Sequence, residues 1–355
     1  MDPGPPPRFG TDDYRDQAVE VIRLSSQLDP TDPTTIDISP GGLGNNPLGT
    51  NDGEGYEVNP VTGEPYEPQV VLRADFGRVM AEYWADGPKS ETPPGHWNVL
   101  ANSVGDTLGE DLRIGGEGPA VDRLEWDVKT YLALNGAVHD AAIAAWGLKG
   151  HYDSARPISM IRYLGSLGQS TDPEGSAYHP DGLPLVDGMI EVITDATTAA
   201  GERHAHLAGH EGEVAVRSWA GNPENPETEV GGVTWIRAVQ WIPYQLPTFV
   251  TPAFPGYVSG HSTFSRAAAE VLTRMTGSPY FPGGLGSTTR EAGTLGSTPA
   301  IVCAVVDALS GFGVTHVDLR VEREPLQRRL GEAIAVHQGG GNLAPRGAFQ
   351  RDIGR

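Results

Sequence analysis

Apolar positions recur with a helical period through much of the chain. A first amphipathic stretch, Tyr14–Leu28, interrupts a region otherwise broken by Pro and Gly. Phe76, Val79, Met80, Tyr83 and Trp84 share one helical face and predict a helix that begins near Val71 and stops at Gly87-Pro88. A loop is expected through Pro93-Pro94-Gly95-His96-Trp97. The strongest periodic run, Asp122 to Leu148, is Ala-rich and predicts a helix that buries Trp126, Tyr131, Leu134, Val138 and Ile143. Another helix is expected from near Ser154 to about Leu167, with Pro157 in its first turn, where a missing N–H costs nothing. Gly168–Gly188 is rich in turn residues.

Beyond it, a helix is expected over about Met189–Ala208, with Glu213–Trp219 as its continuation or a separate short helix. Residues 220–258 read as a long Pro- and aromatic-rich loop. A clear helix follows from Ser259 or His261 to about Thr276, and an apolar helix is expected at Ala300–Leu309. Strand-type alternation is scarce, so the expected fold is all-α, a helical bundle with long irregular loops. The expected organisation is an irregular N-terminal wrap over 1–70 and a helical domain over 71–355, atypical after about residue 289.

Composition narrows the partners. The 355 residues carry a formal net charge of -21, which argues against nucleic acid and against docking on anionic lipid. The single cysteine, Cys303, excludes an internal disulfide framework and a cysteine metal cluster. No run of about 18 apolar residues predicts a membrane span. The first residues have neither the basic start nor the apolar stretch of a signal peptide, so a soluble protein is expected and the compartment stays open. The irregular N-terminal segment would suit wrapping a neighbouring copy, and homo-oligomerisation is left open.

Two segments carry the candidate chemistry. In Lys149-Gly-His-Tyr-Asp-Ser-Ala-Arg156-Pro157, a Lys ending one helix and an Arg opening the next can face one point. Together they supply a point charge and a planar donor fork, which suits a phosphate-like oxyanion. The competing reading is a surface Lys with an Arg paired to a carboxylate such as Asp153. In Phe254-Pro-Gly-Tyr-Val-Ser259-Gly260-His261-Ser262, a helix N-terminus offers unpartnered N–H groups. Gly260 permits close approach, Ser259 can donate, and His261 can act as general acid or base. The competing reading there is a Ser N-cap beside a surface His.

Other candidates are weaker. His204, His206 and His210 invite a zinc reading but lack a Glu in the His-Glu-x-x-His pattern, and one of them could line a halide entrance. Asn51-Asp-Gly-Glu54 lacks the ligand spacing of an EF-hand. His139-Asp140 suggests a structural hydrogen bond, and His151 and Tyr152 could face the substrate. Trp97, Trp235, Trp241, Tyr244 and Phe249 are read as core, or as an aromatic lining of the site.

Lys-x6-Arg-Pro at 149–157, followed by Ser-Gly-His at 259–261, resembles the signature shared by vanadium-dependent haloperoxidases and type 2 phosphatidic acid phosphatases. Trp146 and the Thr251–Tyr257 context resemble the bacterial haloperoxidase-like branch, over roughly residues 10–290. Val258 stands where the family's second motif usually has Pro. The family's third motif, Ser-Arg-x5-His, is degraded here: His316 is present, but Ser310 stands where the second Arg is expected, and Arg320 and Arg323 lie downstream. An altered reading frame or a truncated domain would account for the unusual tail.

The resemblance implies vanadate as cofactor, with phosphate as competitor. Lys149, Arg156, Ser259, Gly260 and His261 would hold the oxyanion, His261 and Lys149 would be catalytic, and His316 would be the axial ligand. Hydrogen peroxide, halide and a small organic molecule would be the partners, and hypohalous acid the product. The alternatives on the same cradle are phosphomonoester hydrolysis, or an inactive oxyanion-binding relative.

Overall fold

The computed structural model describes residues 2–43, 57–84, 91–221, 231–245 and 250–284, with short strand segments between 286 and 337. The side chains of Tyr83 and Trp84, the Gly87-Pro88 stop, Asn51–Glu54, Phe249, Cys303 and the Ala300–Leu309 helix lie outside the described residues.

The chain is mainly helical. Helix α1 (Asp12–Ser26) begins at Thr11, whose Oγ1 accepts the Tyr14 N–H. Strands β1 (Thr35–Asp37) and β2 (Val70–Leu72) pair antiparallel and lead into α2 (Arg73–Trp84). Helix α3 (Pro93–Leu108) occupies the segment expected to be a loop. Its two prolines sit at the start, where no N–H is required, and the Thr92 hydroxyl caps the Gly95 N–H, so Pro93-Pro94 opens a helix here.

Helix α4 (Arg123–Tyr152) is 30 residues long, about 45 Å at 1.5 Å per residue. Its buried residues are Trp126, Thr130, Leu134, Val138, Ala141, Ala145 and Lys149, a single stripe at spacings of three and four. Tyr131 and Ile143, expected inside, are exposed instead, because they fall off that stripe. Helix α5 (Pro157–Leu167) follows after a short turn, and α6 (Gly260–Thr276) starts at its Ser259 cap.

A three-stranded antiparallel sheet was not expected. Strands β3 (Ile190–Val192), β4 (Val214–Trp219) and β5 (Val233–Arg237) pair in the order β3-β4-β5. Where a helix was read over Met189–Ala208, the chain forms β3, one helical turn at Asp195–Thr198 and a 3-10 turn at Ala205–Leu207. β4 gave no alternation because Val214, Ala215, Val216, Ser218 and Trp219 are buried on both of its faces.

Two main hydrophobic clusters result. The first joins α2, α3, α4 and α6 through Val79, Trp97, Leu134, Val138, Ala268 and Leu272. The second joins α1, α5 and the sheet through Ile22, Ile161, Leu164, Ile190, Val216 and Trp241. Each of the larger of these side chains, Ala268 apart, contributes about 1.5–3 kcal/mol by leaving water. A buried hydroxyl pair ties α1 to the sheet: Ser218 Oγ donates to Ser25 Oγ at 2.6 Å and accepts from Trp241 Nε1 at 2.8 Å. No described helix is long and apolar enough to cross a membrane.

Candidate active site

Lys149 is the last member of the buried stripe of α4, a charged head where the pattern has apolar side chains. It is only 3% exposed. Asp153 then takes a left-handed conformation (φ 45°) and its N–H bonds back to the Lys149 carbonyl, closing the helix. The chain reverses through Ser154-Ala155, Arg156 takes an extended conformation, and Pro157 starts α5. The reversal is what lets Lys149 and Arg156 serve one site.

The second segment is joined to this turn by hydrogen bonds. The Gly256 N–H donates to the Ser154 carbonyl at 3.3 Å, and the Tyr257 N–H donates to Ser154 Oγ at 2.8 Å. Lys149 Nζ donates to the carbonyls of Pro255 and Gly256, both at 2.9 Å. Arg156 Nε donates to the Phe254 carbonyl at 2.8 Å, with its guanidinium 4.7 Å from the Phe254 ring centre. Lys149 Nζ lies 5.3 Å from the same ring and 5.7 Å from that of Trp146.

No carboxylate ion-pairs with Lys149 or Arg156 among the described residues. Asp153 does not pair with Arg156, so the ion-pair alternative fails at this position. Burial and the nearby Arg156 charge bring the Lys149 ammonium down from 10.5 to about 8. Burial also lowers Arg156. Two cations held together by carbonyls alone are short of negative charge, which is the electrostatic condition for binding an anion. One Lys149 N–H and the terminal N–H groups of Arg156 are left to meet it.

Ser259 caps α6: its Oγ accepts from the Ser262 N–H at 3.2 Å and from the Ser262 hydroxyl at 3.1 Å. Its own proton remains to donate elsewhere. The N–H groups of the first helical turn, Gly260 among them, have no intrahelical acceptor. A Cβ on Gly260 would stand 3.2–3.3 Å from the edge of the Trp146 ring, so this turn packs tightly on α4. Trp146 also packs on Phe254 and stacks near Phe264, with ring centres 5.1 and 6.0 Å apart.

Lys149, Arg156, Ser259, Gly260 and His261 all line one cavity of about 1290 Å³. The structure thus brings both sequence segments to a single space. His316 and Ser310 lie outside the described residues. His151 and Tyr152 also line the cavity.

The other candidates go elsewhere. His204 Nδ1 meets Thr197 Oγ1 at 3.0 Å, His206 Nε2 meets the Trp235 carbonyl at 2.7 Å, and His210 pairs with Glu213. None of the three lines the cavity, so a halide entrance built from them is corrected. No group of metal-binding side chains occurs among the described residues. His139 and Asp140 are an exposed pair. Trp97, Trp241 and Tyr244 are core, and Trp235 packs against His204. The aromatic lining comes instead from Trp146, Phe254 and Phe264. Trp146 lies three residues before Lys149 on the same helix, a spacing that would have identified it.

Residues 129–306 match the family model for the VCPO second helical-bundle domain, VCPO being vanadium chloroperoxidase. The chain belongs to the vanadium haloperoxidase superfamily. The match takes in both candidate segments and α6, and supports an enzyme of the haloperoxidase and phosphatase group. No curated protein and no solved structure matches the chain.

Proposed function

We propose that the cavity is a vanadate-dependent haloperoxidase site, oxidising halide with hydrogen peroxide to hypohalous acid. One observation carries this reading: two cations, one of them nearly buried, with no carboxylate partner among the described residues, in the same cavity as the N-terminus of α6. The donor set suits a multiply charged oxyanion, because charge-assisted donors and helix N–H groups are strongest toward such a ligand.

Vanadate bound there would supply a Lewis acid that activates peroxide toward a halide. Lys149 would hold the anion with its remaining N–H, and Arg156 with the terminal N–H groups of its planar fork. The Gly260 N–H and the Ser259 hydroxyl would add neutral donors from the start of α6. The His261 imidazole, lining the same cavity, would hold or release a proton at the bound anion. The overall balance is hydrogen peroxide, halide and one proton giving hypohalous acid and water. Phosphate carries the same shape and charge and would compete.

A phosphomonoesterase would use the same donors; the Trp146 and Thr251–Tyr257 context, which resembles the haloperoxidase-like branch, favours the peroxide reaction. The test adds vanadate to the protein, measures vanadium per chain, and follows bromination of phenol red with peroxide and bromide. Hydrolysis of p-nitrophenyl phosphate is run alongside. One vanadium per chain with vanadate-dependent bromination is expected. Phosphate release without bromination would transfer the site to the phosphatases, and neither activity would refute catalysis on this cradle.

A further inference from the structure

Both cations of the cradle are held by main-chain carbonyls of a neighbouring segment, so the aim of the cations depends on what holds that segment. Phe254 accepts from Arg156 Nε at 2.8 Å, and Pro255 and Gly256 accept from Lys149 Nζ, both at 2.9 Å. Residues 251–257 form neither helix nor strand, so no ladder of hydrogen bonds fixes them. Pro252 and Pro255 have no N–H with which to anchor the segment.

The anchorage comes from one residue in the turn between α4 and α5. Ser154 accepts the Gly256 N–H on its carbonyl at 3.3 Å and the Tyr257 N–H on its Oγ at 2.8 Å. These N–H groups belong to the same two peptide units whose carbonyls hold Lys149. In a planar trans peptide the N–H and the C=O point in opposite directions. Bonding both N–H groups to Ser154 therefore turns both carbonyls away from it and toward the ammonium. The strip also lies close on the turn, since a Cβ on Gly256 would stand 3.3 Å from the Ala155 carbonyl oxygen and 3.8 Å from Ser154 Oγ.

We infer that Ser154 is a positioning residue of the cradle: its hydroxyl, by holding the Tyr257 N–H, keeps the Gly256 carbonyl on Lys149 and so leaves one ammonium N–H aimed at an anion. The inference rests on the reading of the cavity as an oxyanion site, and Ser154 acts through Lys149. Without the hydroxyl the 256–257 peptide is free to rotate and water takes the place of its carbonyl. Two consequences are separable. Anion affinity falls because the cation loses its aim. Lys149, which burial and then the Arg156 charge bring down to about 8, titrates nearer its ordinary 10.5 as water relieves the burial. The titratable groups sharing this end of the cavity are Arg156, His151, Tyr152, Asp153, Tyr257 and His261, and of these it is the Arg156 charge that bears on Lys149.

Lys89, Lys129 and Lys149 are the lysines of the chain, so carbon NMR of Cε-labelled lysine follows Lys149 directly, with Lys149→Arg identifying its resonance. The full chain is titrated from about pH 7 to 11 without anion, and sulfate affinity is measured by calorimetry at pH 7. Wild type is compared with Ser154→Ala and with Ser154→Thr, which keeps the hydroxyl. Ser154→Ala should weaken sulfate about tenfold, the effect of one lost hydrogen bond, and move the Lys149 titration at least halfway back toward 10.5. Ser154→Thr should stay near wild type in both. Ser154→Cys, similar in volume but a weak acceptor, replaces the alanine variant if that one does not fold. An unmoved Lys149 titration overturns the inference whatever the affinity, because a merely structural loss would weaken binding alone. A moved titration with no sulfate bound by the wild type would refute the oxyanion reading and leave the hold of Ser154 on Lys149 standing. Sulfate bound equally by wild type and Ser154→Ala would overturn the positioning role and leave that reading standing.

Discussion

The Lys149 ammonium titrates near 8, where a free lysine titrates at 10.5. Burial is the larger cause and the Arg156 charge the smaller. At about 1.36 kcal/mol per tenfold change in proton affinity, that fall is worth about 3 kcal/mol against the charged form in the anion-free protein. The sign follows from linkage. Between about pH 8 and 10.5 the unfolded chain binds the proton and the folded chain does not, so the anion-free protein gains stability as pH rises through that window. An anion in the cradle works in the opposite direction, since it stabilises the ammonium and draws a proton in. Anion affinity should therefore be flat below about pH 8 and fall tenfold per pH unit above it. By pH 10 the loss is about a hundredfold, or about 2.7 kcal/mol.

Sulfate isolates the effect, because it keeps its charge across the range. Its binding to the wild-type protein should be followed by calorimetry from pH 6.5 to 10, with proton uptake from buffers of different ionisation enthalpy. Lys149→Arg keeps a cation that does not titrate, so its affinity should stay level to pH 10 even if it is weaker overall. A wild-type affinity that stays level to pH 10, or an alkaline fall retained in Lys149→Arg, would refute Lys149 as the anion's proton-linked partner.

Three further outcomes are expected. Gly260→Ala places a methyl 3.2–3.3 Å from Trp146, whose ring is 42% exposed and can yield; sulfate affinity should fall about threefold to tenfold with thermal stability nearly unchanged, and an unaltered affinity would remove this turn from the cradle. Gly165→Ala sets a methyl 2.5 Å from Ala238 Cβ in the second core, so despite better helix propensity it should cost about 1–3 kcal/mol in urea unfolding; a stabilised variant would contradict the packing described. The Tyr152 phenol is raised to about 12 by its hydrogen bond to Asp2, and spectrophotometric titration of Asp2→Asn should bring one tyrosine back toward 10.0, whereas an unchanged alkaline titration would break the tie between segment 2–9 and α4.

The helices were legible where one face alone is buried. Trp126, Leu134 and Val138 of the α4 stripe were visible as spacing, whereas Tyr131 and Ile143 were misplaced on it because the Ala-rich sequence offers small residues beside every large one; the Pro157 and Ser259 starts were visible as caps. Pro93 was read as a break because proline interrupts a helix from within, yet after a Thr cap it starts one. The β3-β4-β5 sheet was hidden for a different reason. A strand covered on both faces has no period to display, and β4 has the core of α1 on one side and the Trp235 cluster near the other.

The site divides along the same physical line. Lys149, Arg156 and the Ser259–His261 turn could each be aimed because each sits at a helix terminus, which four or five adjacent residues set. Their meeting in one site was what the family resemblance of the two motifs implied. The donors of a cap point outward whatever else the fold does, so short-range sequence is enough to aim them. The far wall has no such local origin. Tyr14, Gln17, Val21 and Leu24 read as an ordinary amphipathic helix, and only the packing of α1 on α5 and β4 turns part of that surface toward Lys149. A motif can therefore place the groups that hold the anion, while what reacts beside it depends on walls assembled from parts of the chain more than a hundred residues apart.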